Sequence, residues 1–176
     1  MRESLRRLLQ AVRLEREAFV WMGLNDRATG DAVIFVTVTQ VLILLGIGWS
    51  VLRLVTSLQG LGALVGAVIG GIVSWLIYSG VVYAIARFLF QAGGDFPTIL
   101  RIVGFAYPTM LLQIATVKLF SSALLAFLVG SLWFLVVVAA GVRYETDLDQ
   151  GKSIVAAAGG IVGLIIVQSI LGGGIL

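Results

Sequence analysis

Five stretches of the chain stay apolar for long enough to cross about 30 Å of hydrocarbon at a rise of about 1.5 Å per residue. They cover 32–52, 61–90, 99–117, 123–142 and 154–176. Each is read as a helix, because a segment surrounded by lipid must satisfy its backbone N–H and C=O groups within itself. The second is long enough to tilt. The third carries Arg101 near one end and Lys118 just past the other, both placed to snorkel to the interfaces. The pattern ahead of the first span differs. Leu5, Leu8, Leu9 and Val12 recur at i, i+3, i+4 and i+7, with Arg2, Glu3, Arg6, Gln10, Arg13 and Glu17 largely on other faces. That spacing predicts an amphipathic helix. It either lies in the bilayer interface, with Trp21 at headgroup level, or rests solvated on the bundle's own loops. Arg residues continue to Arg27, and no short apolar core ends at a small-residue cleavage site, so the segment reads as a retained arm rather than a signal peptide.

Composition agrees with this pattern. The chain is 60% hydrophobic and 12% charged with a mean hydropathy of +1.09, against roughly 45–50% and 25% in soluble domains. A water-soluble globule is excluded, since too few polar side chains exist to cover one. The cations then orient the spans, because cytoplasmic segments hold the excess of Lys and Arg. With the N-terminus inside, Arg2, Arg6, Arg7, Arg13, Arg16, Arg27, Arg87, Arg101, Arg143 and Lys152 are cytoplasmic, and only Arg53 and Lys118 fall outside. The expected protein is therefore all-α, with a cytoplasmic amphipathic arm over 1–31, a five-helix membrane domain over 32–176, and the C-terminus outside.

Chemistry-bearing residues are few. The chain has no Cys and no His, which removes disulfides, thiolate nucleophiles, imidazole bases and nearly every transition-metal site. Asp147 and Asp149 precede Gly151 but lack the glutamate that closes a calcium loop, so they read as solvated loop charges. Gly93 and Gly94 lie outside any phosphate-binding glycine pattern. The net charge of +3 comes from Arg flanking the spans, not from a basic face that would hold nucleic acid. No catalytic, cofactor-binding or metal-ligating residue is expected, and the lipid bilayer is the first partner.

Without a hydrophobic drive between helices in lipid, small residues that allow close approach mark packing faces. Gly62, Gly66 and Gly70 form a double GxxxG ridge in the second span, and Gly159 and Gly163 repeat the spacing in the fifth. These two spans are the expected tight pair, with packing inside the monomer preferred to a homodimer through one ridge. Pro108 removes a backbone donor four residues after Gly104. A kink over 104–108 is expected, with Tyr107 and Gln113 available to satisfy freed backbone groups.

Several of these features together resemble the Yip family, the Ypt/Rab-interacting multispan membrane proteins, in its compact prokaryotic form. The likeness lies in the Arg-bearing arm leading into five close spans and in Gly93, Gly94, Asp95 and Phe96 followed by Arg101, Ile102, Val103, Gly104, Phe105, Ala106, Tyr107 and Pro108. It continues in the Trp133-containing fourth span and the turn Gly151, Lys152 and Ser153, and covers most of 17–167. The resemblance implies a non-enzymatic integral membrane protein. Eukaryotic relatives are associated with Rab-type GTPases and vesicle transport, and some prokaryotic relatives accompany membrane transport systems. The long acidic or proline-rich cytoplasmic domain of the eukaryotic members is not seen in this sequence, and the short loops favour a prokaryotic plasma membrane. The expected function is a scaffold or adaptor that binds other integral membrane proteins. A subunit of a small-molecule transporter or channel is the alternative, opposed by the lack of any ionisable residue near the middle of a span.

Overall fold

The computed structural model describes residues 2–46, 56–120 and 123–170. Arg53, the end of the first expected span (47–52), residues 121–122 of the expected short loop and residues 171–176 lie outside the described residues. Eight α-helices follow in order among the described residues: α1 (Arg2–Val12), α2 (Arg16–Leu24), α3 (Arg27–Gly46), α4 (Leu58–Ala84), α5 (Phe96–Ala106), α6 (Leu112–Phe120), α7 (Ala123–Thr146) and α8 (Gln150–Ile170). A π-helical turn, Ile85–Leu89, continues α4, and a 3₁₀ stretch, Tyr107–Leu111, joins α5 to α6. Five of the resulting segments are long and apolar enough to cross a membrane. The protein is an all-α bundle.

Helices α3, α5, α7 and α8 each run about one turn beyond the apolar stretch that marked them in the sequence, always at the end that carries the arm. Hydropathy detects only the part that crosses hydrocarbon. The added turns carry Arg27, Arg143 and Gln150, all exposed and polar enough to end a span at an interface.

At the centre stands the third span. Every residue from 98 to 106 is buried, and α5 packs against α3, α4, α7 and the arm. Close approach explains the sequence here. A Cβ on Gly104 would lie 2.5 Å from Ala32 Cβ on α3 and 3.2 Å from Trp75 Nε1 on α4. One turn toward the other end, Pro108 cannot donate to the Gly104 carbonyl, and the chain tightens into 3₁₀ winding so that the Tyr107 N–H serves Gly104 and Val103 instead. The side chains expected to fill this gap go elsewhere. Tyr107 donates to the Gly71 carbonyl at 3.4 Å, and Gln113 to Met110 Sδ at 3.1 Å.

The outer spans pack around this hub. On α8, a Cβ at Gly159, Gly160 or Gly163 would run into Ile85, Val82 or Val81 of the second span, and Tyr78 donates to the Ala157 carbonyl at 2.8 Å. Two of the three ridge glycines of α4 take no part in this contact. Gly70 is buried, but Gly62 and Gly66 are exposed and no described atom comes within 4 Å of a Cβ built on either. The second and fifth spans therefore meet through glycine on one side and branched side chains on the other.

The arm consists of two helices, broken at Leu14, whose φ of 63° is left-handed. The sequence periodicity suggested one. α1 turns Ser4, Leu8 and Ala11 toward the bundle and leaves Leu5 and Leu9 exposed. Its first turn is pinned where Ser4 Oγ donates to Asp31 Oδ2 on α3 at 2.7 Å. α2 buries Ala18, Phe19 and Met22 against the bundle.

Candidate functional site

Polar side chains converge at the arm end of the bundle, around Arg101. The sequence placed this cation where it could snorkel to water, yet only 5% of it is accessible. Burying a guanidinium is tolerable only if its donors are used. They are. Its Nε donates to Thr29 Oγ1 at 2.9 Å, one terminal nitrogen to the Met22 and Gly23 carbonyls at 2.9 and 3.5 Å, and the other to Asp26 Oδ1 at 2.6 Å.

Local sequence explains each acceptor. Met22 and Gly23 lie in the last turn of α2, whose carbonyls have no partner within the helix and sit at the negative end of its dipole. Asn25 and Asp26 form the break before α3, with Asn25 Oδ1 accepting from the Arg27 N–H at 3.2 Å. Asp26 thus stands at the positive end of α3, and Arg101 joins the end of one helix to the start of the next. Because it projects from the central α5, this one side chain fastens the arm and the first span to the hub.

A second junction lies beside it. Asp95 occupies the N-cap of α5 with an extended backbone, and Pro97 takes the first helical turn. Gly94 precedes it at φ 92°, close to Glu145 and Thr146 of α7, so the left-handed backbone and the tight approach both call for glycine there. The Asp95 N–H donates to Glu145 Oε1 at 3.4 Å. Partial burial works against the Asp95 carboxylate. Hydrogen bonding with Thr98 and Glu145 and the charge of Arg101 outweigh it and hold its pKa below the usual carboxylate value. Phe19, Gly23, Asp95, Thr98, Tyr144 and Glu145 border a cavity of about 290 Å³.

The remaining motif residues divide by role. Phe96 sets its ring edge-on to Tyr83 at 5.7 Å, while Gly93 has no described atom within 4 Å of an added Cβ. Gly104, Tyr107 and Pro108 lie deeper, in the packing of the hub. Among the described residues no three Asp, Glu, His or Cys side chains gather as metal ligands. Sequence reasoning missed Asp26, Thr29, Asp31 and Glu145. The Asn25–Asp26 helix-break signature was the one signal available for them. The groups of this cluster are engaged with one another, and what they do is hold elements together.

A family model described as the Yip1 domain matches residues 11–172. No curated protein and no solved structure matches the chain.

Proposed function

The chain belongs to the Yip1 domain family, and from that premise we propose that it is a non-enzymatic membrane scaffold or adaptor that binds other integral membrane proteins. In this reading the arm lies on the cytoplasmic face of a prokaryotic plasma membrane, as the excess of Arg at that end favours. The observation that carries it is the anchoring of the arm. Arg101 and Ser4 fix α1 and α2 on the bundle, while α1 turns Leu5 and Leu9 outward beside Arg2 and Arg6. A platform held this firmly can recognise a partner without first paying to order itself.

Photocrosslinkers at Leu5 and Leu9, in native membranes, should yield a discrete adduct with another membrane protein. A crosslinker at Ile165, on the exposed face of α8, should not. Releasing the arm with Arg101→Met should weaken the adduct. Substrate-dependent flux through the purified protein in liposomes would overturn the reading in favour of a transport subunit.

A further inference from the structure

We propose that the groove between α1 and α2 binds the headgroup of an anionic phospholipid from the surrounding leaflet. The site goes beyond the adaptor reading and does not depend on it. Arg7, Arg16, Glu17, Val20, Trp21 and Leu24 border this groove, which has a volume of about 420 Å³. Trp21, Val20 and Leu24 make an apolar wall, and the latter two are 47% and 84% exposed. Two guanidinium groups stand over it.

Arg7 is short of partners. Its side chain is 15% accessible, and among the described residues its Nε is buried with no hydrogen-bond acceptor and its one close partner is Gln10 Oε1 at 3.1 Å. The carboxylates of Glu3 and Glu17 stay at 3.8 and 3.9 Å, beyond hydrogen-bonding distance. The guanidinium lies 5.9 Å from the Trp21 ring centre, and Arg16 lies 6.0 Å from that of Tyr144 on α7. A phosphodiester can approach Arg7 as a bidentate acceptor and displace the loosely held Glu17.

Depth in the bilayer selects a lipid as the source of that phosphate. Trp21 meets Phe105 edge-on at 6.1 Å, and Phe105 meets Phe35 at 4.9 Å. Phe35 lies about 12 Å along α3 from its start at Arg27, at a rise of 1.5 Å per residue. These two ring contacts join the indole to the part of the bundle where α3 has become apolar, which sets the groove beside the bilayer. The cations above it fall in the headgroup layer, where each contributes to binding an anionic surface. Val20 and Leu24, one turn apart on α2, offer the acyl chains an apolar track.

Native mass spectrometry of the full chain in detergent, titrated with phosphatidylglycerol or with phosphatidylcholine of the same acyl chains, tests this. The wild type should retain one phosphatidylglycerol with at least about fivefold preference. Arg7→Gln should remove the preference, Glu17→Gln should increase retention several-fold, and Arg13→Gln, outside the groove, should leave it unchanged. If Arg7→Gln fails to fold, Glu17→Gln and Arg16→Gln decide, because both residues are exposed. Equal retention of the two lipids would overturn the proposal, as would an equal loss in Arg13→Gln. Displacement of the lipid by soluble glycerol phosphate, or a lipid-free dimer that Arg7→Gln dissolves, would also overturn it by putting a free phosphate or a second copy in the groove.

Discussion

The third and fifth spans invert the rule that holds in water. Phe96–Thr116 is the least apolar of the five and the most buried, with 61% of its apolar window inside the protein, whereas Gln150–Ile170 is among the most apolar and has only 22% inside. In lipid, apolar side chains lose nothing by facing outward, so the interior goes to the span that carries small residues, hydrogen-bonding groups and a cation. Hydropathy in this protein measures contact with lipid. Packing is decided by Gly104, Trp75, Tyr107 and Arg101.

That contrast is most easily broken at Gly104. A Cβ there already meets Ala32 at 2.5 Å on its Cβ and 3.2 Å on its Cα, and a backbone atom cannot swing aside. Gly104→Leu should therefore separate α5 from α3 at a cost above about 3 kcal/mol. The expected readout is loss of monodisperse protein on size exclusion in detergent. If the variant melts like the wild type, α5 is not the hub.

Arg101→Ala tests the polar half of the same idea. It strips partners from Thr29, Asp26 and the α2 carbonyls, and bonds to a charged donor contribute about 1.5–3 kcal/mol each, part of which water recovers at this end of the bundle. A net loss of about 2–3 kcal/mol is expected, with proteolysis in the arm accelerated before the spans unfold. Arg101→Lys should recover only part of it, because an ammonium cannot span acceptors on two helix ends with a planar fork. Full recovery by lysine would show that charge alone matters.

These two residues also show where sequence reading stops. Five apolar stretches, the arm and the Gly104–Pro108 motif are legible because each is a local property of the chain. Arg101 was visible as a cation near a span end, but its acceptors lie more than 70 residues away and the spacing of one segment carries no trace of them. The first, second, fourth and fifth spans have almost no amphipathic contrast. In water a polar face points outward and labels the opposite face as core. Here lipid and interior are both apolar, so nothing in α4 marks which glycines meet a neighbour.

A smaller effect is expected at the junction of the second and fifth spans. Tyr78 is buried there, with its hydroxyl donating to the Ala157 carbonyl and its ring 5.1 Å from Phe134. Tyr78→Phe keeps the ring and removes the bond between helices, which contributes about 0.6–2 kcal/mol inside a membrane protein. The Ala157 carbonyl retains its place in the α8 ladder, so about 1 kcal/mol should be lost in thermal unfolding. A change several times larger would mean that this hydroxyl holds more than one pair of helices.

Gly66→Leu should do least, although Gly66 stands in the most regular small-residue ridge of the chain. The sequence pattern favours packing inside the monomer, but no described atom comes within 4 Å of a Cβ on Gly66, and Val65 and Ile69 beside it are exposed. Leucine there would extend an apolar surface that already faces outward and would replace the weakest helix former after proline. Stability should stay within about 0.5 kcal/mol of the wild type, in contrast to the collapse expected at Gly104. Repeating the melt over a range of protein-to-detergent ratios separates the two causes of any larger loss. A loss that grows with protein concentration would mean that the ridge joins two copies. One that does not would mean that it packs within the chain, and that glycine spacing outranks hydropathy in deciding which faces of these spans meet.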